Sequence, residues 1–327
     1  TRNNMFNLPN LPNLPNHPTA TSSLNVLVGS IFLYYLHRKI SQRMLNNFQP
    51  SEAWNPEKEL VLLTGGSGGI GQQIAEDLSR QKVRVVILDL NRPTFELPEN
   101  VIFYQTDITS SQSISETAAI IRKTHGDPTV LVNNAGITDY STILDVEEKK
   151  LRRMFDVNVV AHFLTVKEFL PAMIRAGSGH VVTIASVASF VTVGEMVHYA
   201  CTKAGALAFH EGLRQELIHW YKAPNIRTSV VHPLWVQTPM IKGYTDYQSD
   251  FRQSVMNPKA VSEAVIEHIT SRQSGQIILP RARSLIGSLR ALPLWLQEML
   301  RSSFSAVLWR VGDKRAADAK VADSPVA

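Results

Sequence analysis

The feature that most constrains the fold is an apolar run that leads into a glycine-rich turn. Residues 59–64 read Glu-Leu-Val-Leu-Leu-Thr and continue into Gly65-Gly-Ser-Gly-Gly-Ile-Gly71, before a helix-like stretch to Arg80. Glycines allow a tight turn, and the free amides and dipole of a helix N-terminus attract phosphate. The sequence therefore predicts a strand, a phosphate-binding turn and a helix in succession.

The glycines and the next apolar run together suggest a dinucleotide site. The glycines fit two spacings, Gly66-x-Gly68-x-x-Gly71 and Thr64-Gly65-x-x-x-Gly69-x-Gly71. Residues 83–88 form a second strand-like run that ends at Asp89, 18 residues after Gly71. A carboxylate there accepts hydrogen bonds from the adenosine ribose and repels a 2′-phosphate, which favours NAD. Position 68 is a glycine, not a basic residue that would help to bind the 2′-phosphate of NADP, and this also favours NAD. Because Arg92 lies near Asp89 in the chain, NADP remains an alternative.

Strand-like runs recur along the chain and alternate with longer helical patterns. They lie at 60–64, 83–88, 101–105, 129–133, 180–185, 227–231 and 276–279. Such alternation is typical of βαβ units and a parallel sheet. We predict one α/β domain over residues 58–282, a doubly wound Rossmann fold with a seven-stranded parallel sheet. Hydrophobic residues make up 44% of the chain, enough for a large core.

Tyr199 and Lys203 stand four residues apart in a helix-like run, and Ser186 lies thirteen residues before Tyr199 at a strand end. Residues i and i+4 share one face of a helix. Because a nearby cation favours phenolate, we expect the pKa of Tyr199 to fall from about 10 toward neutral pH. With the serine hydroxyl, such a set suits proton transfer between an alcohol and a ketone. For this spacing alone, an inert surface pair is the alternative.

These residues and several further motifs, in this order, resemble the short-chain dehydrogenase/reductase family. The motifs are Thr64-Gly65-x-x-x-Gly69-x-Gly71, Asp107-Ile108, Asn133-Asn-Ala-Gly136, Asn158, Ser186, Tyr199-x-x-x-Lys203 and the segment from Pro233 to Thr238. The resemblance covers residues 58–282. It implies a Rossmann fold and an NAD(P)-dependent alcohol dehydrogenase or ketoreductase of the short-chain type.

The resemblance also implies a role for each matched residue. Tyr199 is then the acid/base, while Lys203 lowers its pKa and holds the nicotinamide ribose. Ser186 orients the substrate oxygen, and Asn158 supports a water-linked proton relay. The implied cofactor-binding residues are Gly65, Ser67, Gly69, Ile70, Gly71, Asp89, Asp107, Ile108, Asn134, Tyr199, Lys203, Val236 and Thr238.

One position departs from the family pattern. The family usually has Pro-Gly after its sixth strand, whereas this chain has Pro233 followed by Leu234. A leucine removes the conformational freedom of glycine and is expected to narrow the pocket beside the nicotinamide. Such substitutions resemble those of the membrane- and lipid-droplet-associated hydroxysteroid and retinol dehydrogenase branch. We interpret Leu234 as a marker of substrate or branch.

Cysteine and histidine usage gives no sign of a metal. Cys201 is the single cysteine, which fits a reducing compartment, and we expect it to be a small packed residue. The ten histidines form no metal-ligand motif, so no metal is expected. His198 and His232 are nearest the predicted site, where each either lines the pocket or ends an element.

The N-terminal 50 residues differ in kind from the rest. Residues 1–23 are rich in Asn and Pro, with Asn-Leu-Pro repeating every three residues, so we expect a disordered or extended segment. Residues 24–36 are mostly apolar and a basic flank follows to residue 50. This is borderline for a membrane span, which needs about 20 residues. A membrane anchor is our prediction; an interfacial helix, a signal peptide and a lid helix are the alternatives.

The C-terminal residues 283–327 form a basic, leucine- and tryptophan-rich tail that is expected to be helical and amphipathic. Three roles are open for such a tail: it lies in a bilayer interface, it caps the substrate pocket, or it packs against a second subunit in a dimer. The net charge of +5 is dispersed and lacks an aromatic-basic nucleic-acid motif, so nucleic acid is not an expected partner. By family analogy, helices near 150–175 and 198–221 are expected to form a homodimer.

The sequence thus predicts a membrane-associated oxidoreductase at the endoplasmic reticulum or lipid droplet, with its catalytic domain facing the cytoplasm. The expected substrate is a secondary or allylic alcohol, or its carbonyl, on a steroid, retinoid or long-chain lipid. Two other hypotheses remain: a soluble ketoreductase of secondary metabolism, and a non-catalytic membrane or lipid-droplet protein that retains a cofactor site.

Overall fold

The computed structural model describes residues 18–322, so most of the predicted disordered segment lies outside the described residues. The strands are β1 (Leu60–Thr64), β2 (Arg84–Asp89), β3 (Val101–Gln105), β4 (Val130–Asn133), β5 (His180–Ile184), β6 (Arg227–Pro233) and β7 (Gly275–Leu279). The helices are α1 (Pro18–Leu45), α2 (Gly69–Arg80), α3 (Ser111–His125), α4 (Glu148–Phe155), α5 (Ala161–Ala176), α6 (Val197–His219), α7 (Lys242–Thr245), α8 (Gln248–Phe251), α9 (Pro258–Ser271) and α10 (Leu294–Ala322). All seven predicted strands are confirmed, with bounds that shift by at most two residues.

The seven strands form one parallel sheet in the order β3-β2-β1-β4-β5-β6-β7. The chain therefore reverses its direction of winding between β1 and β4, where Leu63 pairs with Val132. In a doubly wound fold, ligands bind at the carboxyl ends of the strands beside this reversal. The predicted Rossmann fold is confirmed.

Alternate residues of the strands face opposite layers of helices, as the period of two requires. Val61 and Leu63 belong to the core that includes residues of α2 and α9, whereas Leu60 and Leu62 belong to the core that includes residues of α3, α5 and α6. All four side chains are at most 1% exposed. Burial on both faces explains why this strand is continuously apolar rather than alternating.

A π-helical segment, Asp156–Val160, joins α4 to α5. It contains Asn158, whose side chain is fully buried. Such bulges interrupt the regular helical pattern and recur at functional sites. The longer helical stretch, Glu148–Ala176, is the one stretch among residues 18–322 with the length and apolar character for a membrane span, and half of its most apolar part is buried, as in a core helix.

The residues that the structure describes divide into two compact units, with the boundary between Met44 and Leu45. The described part of the first unit is α1, which begins at Pro18, six residues before the expected apolar segment. From Val26 to Leu36 its large apolar side chains are between 42% and 70% exposed. The helix is therefore apolar on its whole surface over this stretch. Its role as an anchor stays a prediction.

The C-terminal tail folds as 3₁₀ turns over Arg281–Ala291 and then as α10. Leu308 and Val311 of α10 are almost fully buried in a cluster with Tyr199, Tyr244 and Phe251. Of the three roles that the sequence allowed for the tail, the structure thus supports the cap over the pocket.

Candidate active site

Ser186, Tyr199 and Lys203 meet at the carboxyl end of the sheet. Ser186 follows β5 and caps a short 3₁₀ turn, where its Oγ accepts a hydrogen bond of 3.1 Å from the amide of Ala188. Tyr199 and Lys203 lie one turn apart on α6. The Lys203 Nζ is 5.7 Å from the centre of the Tyr199 ring and donates a 3.0 Å hydrogen bond to the Ile184 carbonyl.

The expected direction of the Tyr199 pKa was wrong. Burial of the phenol raises its pKa to about 12, and the hydrogen bond with Ser186 offsets only part of this increase. Burial likewise lowers the pKa of Lys203 to about 8. Both shifts favour the neutral form of the side chain. The free-energy cost of removing a charged group from water exceeds the stabilisation that the hydrogen bonds to Ser186 and to the Ile184 carbonyl provide. The spacing of the two residues could not show how deeply they are buried.

Replacing Lys203 with methionine should stabilise the cofactor-free protein. Below pH 8 the folded state holds a desolvated ammonium that the unfolded chain keeps hydrated, with a pKa near 10.5. Between those values the unfolded chain binds more protons, so wild-type stability rises with pH. At pH 7 we expect Lys203→Met to be more stable by roughly 1–3 kcal/mol, a gain that shrinks toward pH 10.

Urea unfolding from pH 7 to pH 10 measures this difference. Lys167 is exposed on α5, so Lys167→Met is the matched control and should change stability little. If the free energy of unfolding changed with pH equally in wild type and in Lys203→Met, the lowered pKa of Lys203 would be contradicted.

Asn158 ties the catalytic helix to the loop after β4. Its Oδ1 accepts a 2.8 Å hydrogen bond from the amide of Ile137, and its Nδ2 donates to the Ile137 carbonyl and to the Thr202 hydroxyl. A Cβ placed on Gly136 would lie 3.3 Å from the Lys203 Nζ and 3.4 Å from Asn158 Oδ1. The side chain of Asn158 therefore holds the site together, and its part in a proton relay stays a prediction.

The glycine turn adopts the shape that the sequence predicted. Gly65 and Gly69 have φ values of +68° and +56°, which glycine adopts readily. At Gly68, the N-cap of α2, an added Cβ would meet nothing within 4 Å, so the helix N-terminus faces open space. Asn134 donates hydrogen bonds to the carbonyls of Thr64 and Gly65, which fixes the turn. The turn leaves room for a phosphate group.

The carboxylate of Asp89 lies at the end of β2 beside this turn. Its two oxygens accept 3.0 Å hydrogen bonds from the amides of Ser67 and Asn91. Across the turn, Thr238 lies against Gly69, where an added Cβ would be 3.2 Å from its methyl carbon. Together with the open helix N-terminus, this arrangement fits a dinucleotide, with Asp89 as the group that would receive the adenosine ribose.

One cavity of about 850 Å³ contains most of the predicted site residues. The predicted residues that line it are Gly65, Gly69, Ile70, Asp89, Asp107, Ile108, Asn134, Ser186, Tyr199, Lys203, Val236 and Thr238. Ser67, Gly71 and Asn158 are not among its lining residues. The cavity therefore joins the glycine turn to the catalytic group, and many of its remaining lining residues were not predicted.

Those remaining residues are largely apolar and come from separate parts of the chain. They include Val191, Val193, Met196, Trp235, Met240, Ile241, Phe304, Val307 and Leu308. The last three belong to α10, which closes the cavity. For these three residues the apolar composition of the tail was the sequence signal, but it did not show which face of the helix turns toward the cavity.

Leu234, the departure from the family pattern, also lines this cavity. It packs against the cluster of Val187, Phe190, Val191 and Leu289, as does Phe304 of α10. The leucine thus helps form the apolar surface on which the tail rests. A narrowing of the pocket beside the nicotinamide by Leu234 stays a prediction.

Of three residues near the site, Cys201 differs from its expectation, whereas His198 and His232 each lie at the end of an element, one of the two places expected for them. Cys201 is exposed, not packed, because it lies two residues from Tyr199 and so points away from the cavity. His198 and His232 are both buried, and neither lines the cavity. His232 instead contacts the backbone of Ser186 at 3.0 Å.

The fold and the arrangement of serine, tyrosine and lysine beside a glycine turn define an oxidoreductase of the Rossmann class. A family model described as short chain dehydrogenase matches residues 59–249. The chain belongs to the short-chain dehydrogenase family, as its motifs indicated.

Relatives and solved structures agree with this assignment. The chain is 40% identical over 204 residues to dehydrogenase RED2 of Cochliobolus heterostrophus, spanning 62% of this chain and 77% of the relative. It is 30% identical over 271 residues to estradiol 17-beta-dehydrogenase 11 of Homo sapiens, spanning 80% and 86%. The structure of 3-ketoacyl-(acyl-carrier-protein) reductase from Brucella melitensis, complexed with NADH, matches with a TM-score of 0.63 at 21% identity, covering 70% of this chain and 100% of that one.

The relatives also confirm the resemblance to the hydroxysteroid dehydrogenase branch. Besides the human protein, 17-beta-hydroxysteroid dehydrogenase 13 of Rattus norvegicus is 30% identical over 258 residues, which span 76% of this chain and 83% of the relative.

Proposed function

We propose that the protein is an NAD-preferring oxidoreductase that interconverts a secondary or allylic alcohol and its carbonyl on a lipophilic substrate such as a steroid, a retinoid or a long-chain lipid. The observation that carries the proposal is that Ser186 and Tyr199 line the same cavity as apolar residues of the tail. The relatives named for estradiol and for 17-beta-hydroxysteroids support this substrate class.

In this mechanism the protein handles the proton. When bound, the nicotinamide supplies or accepts the hydride. The Ser186 hydroxyl hydrogen-bonds the substrate oxygen. The neutral Tyr199 phenol donates its proton to a ketone oxygen, and in the reverse direction the Tyr199 phenolate takes the proton from the alcohol. Lys203 carries a pKa of about 8 and lies 5.7 Å from the Tyr199 ring, close enough to favour phenolate whenever its amine is charged.

The direct test is oxidation or reduction of a panel of steroid, retinoid and long-chain alcohols and ketones, with NAD(H) and NADP(H) compared. We expect turnover with apolar substrates and tighter binding of NADH than of NADPH, because the Asp89 carboxylate repels a 2′-phosphate. Turnover confined to small polar ketones would favour the soluble ketoreductase. Cofactor binding without any turnover would favour the non-catalytic protein.

We further propose that the protein attaches to the endoplasmic reticulum or lipid droplet with its catalytic domain in the cytoplasm. On α10, Trp295, Met299 and Trp309 lie within about 80° of one another. They are on the side opposite the partly buried Phe304 and the buried Leu308. The three outer side chains are 69%, 52% and 65% exposed. Residues 281–322 contain eight Lys or Arg against three Asp or Glu. Exposed tryptophans with an excess of positive charge suit an anionic lipid surface.

A chain that begins at Leu45 should therefore still bind vesicles of phosphatidylcholine and phosphatidylserine. Trp295→Ala with Trp309→Ala should weaken this binding at least about tenfold, because two indoles no longer enter the interface. Co-sedimentation measures it. Trp220 is 72% exposed immediately after the end of α6, outside the tail, so Trp220→Ala is the matched control. Equal binding of the double variant and the control would contradict attachment through the tail.

A homodimer also remains a proposal. Phe155, Val160 and Phe163 are 38%, 41% and 55% exposed along α4, the π-helical segment and α5. Large apolar side chains on one exposed stretch suit a protein interface. Sedimentation equilibrium that gives a monomer would contradict it.

A further inference from the structure

His232 is a fully buried histidine that contacts the backbone of a catalytic residue. It lies in β6, and its Nδ1 is 3.0 Å from the carbonyl oxygen of Ser186. A carbonyl only accepts hydrogen bonds, so Nδ1 must carry the proton. The other ring nitrogen, Nε2, is then an acceptor, and the side-chain amide of Gln276 lies 3.4 Å from it. The contacts thus assign one tautomer of the neutral ring.

The position of this contact follows from the end of the ladder between β5 and β6. The amide of Ala185 donates to the Val231 carbonyl at 2.8 Å. In a parallel ladder the next donor would be the amide of residue 233, but Pro233 has no N–H. The backbone pairing therefore ends immediately before Ser186. The missing amide would have met the Ala185 carbonyl, and the His232 imidazole donates one residue further along the chain, to the Ser186 carbonyl.

Ser186 is consequently held at two places by two consecutive residues. His232 donates a hydrogen bond to the Ser186 carbonyl, and the Ser186 Oγ donates one to the Pro233 carbonyl at 3.4 Å. Phe190, from the turn after Ser186, packs on the imidazole with ring centres 4.6 Å apart. These contacts orient both the imidazole and the turn that carries the serine hydroxyl. Burial lowers the pKa of His232 to about 4, so the ring stays neutral at working pH.

We propose that His232 is a positioning residue of the active site, which fixes the backbone of Ser186 and thereby the hydroxyl that holds the substrate oxygen. The inference rests on the proposed oxidoreductase function. It assigns His232 no proton transfer, because Ser186 lies between it and the substrate.

Two substitutions test the role. His232→Leu removes the donor, and we expect kcat/KM to fall about 10–100-fold through misplacement of the hydroxyl. His232→Asn retains a side-chain N–H near the position of Nδ1 and should recover most of the activity. NADH affinity and the shape of the pH profile should match wild type in both variants. In a Ser186→Ala background, His232→Leu should have little further effect, because it acts through the serine.

The matched control is His180, which is 1% exposed and contacts the Ser229 hydroxyl at 2.9 Å at the opposite end of the sheet. His180→Leu should leave turnover per folded molecule unchanged. The inference would be overturned if His232→Leu had the kcat/KM of wild type, or if the substitution shifted the pH dependence of activity.

Amide hydrogen exchange provides a readout that needs no turnover. The Ala188 amide donates to the Ser186 Oγ, so its exchange should be at least about tenfold faster in His232→Leu and near wild type in His232→Asn. Unchanged exchange in the leucine variant would overturn the inference even if the wild type lacked activity. An inactive wild type with faster exchange in that variant would instead count against the proposed function.

Discussion

Replacing Tyr199 with phenylalanine should reduce NAD(H)-linked turnover about 10²–10⁴-fold, the usual contribution of a general acid or base. The phenol contacts Ser186 and lines the cavity, where it can give or take a proton. Phenylalanine keeps the ring and its packing, so the variant should fold normally. Cofactor affinity should change little, which separates the loss of chemistry from a loss of binding.

Steady-state rates and NADH fluorescence titration measure these two effects. Tyr104 is a matched control, because its hydroxyl contacts His125 at 3.0 Å from β3, outside the cavity. Tyr104→Phe should retain full turnover. If Tyr199→Phe turned over substrate as fast as wild type, the proposed mechanism would be wrong.

Replacing Gly71 with alanine should abolish detectable NADH binding. The new Cβ would overlap the Gly65 carbonyl and lie 2.6 Å from the Asn134 amide nitrogen. Both contacts are with groups that fix the turn, so the turn has to move and the phosphate position is lost. Such overpacking also lowers the free energy of unfolding by about 1–3 kcal/mol.

Fluorescence titration and urea unfolding test this result on the same samples. Gly212, on the exposed side of α6, has nothing within 4 Å of an added Cβ. Gly212→Ala should bind NADH like wild type and be equally stable or up to about 1 kcal/mol more stable. Near-normal NADH affinity in Gly71→Ala would show that the turn does not hold the cofactor.

Much of the fold and the local parts of the site could be predicted from short sequence patterns. The run 60–64 is long enough for one strand, and its burial on both faces makes it continuously apolar. Gly65 and Gly69 mark positive φ values that glycine tolerates best. The spacing of Tyr199 and Lys203 follows from one helical turn. Each of these signals depends on residues that are close together in the chain.

Other properties depended on contacts between distant segments. The Tyr199 pKa rises because several separate elements exclude water from the phenol, which helical spacing alone does not reveal. Leu234 packs in the same apolar cluster as Phe304, which lies 70 residues away in the chain. The contact between His232 and Ser186 likewise joins two strands that are adjacent only in the folded sheet.

The sequence by itself determined that this chain forms a Rossmann sheet with a glycine turn and a Ser-Tyr-Lys group, because strand burial, turn geometry and helical spacing are local properties. The tertiary structure alone decided that the tail closes the cavity, that burial opposes ionisation of Tyr199 and Lys203, and that His232 holds Ser186. Desolvation and long-range hydrogen bonding arise only when distant segments pack together, so no local pattern encodes them.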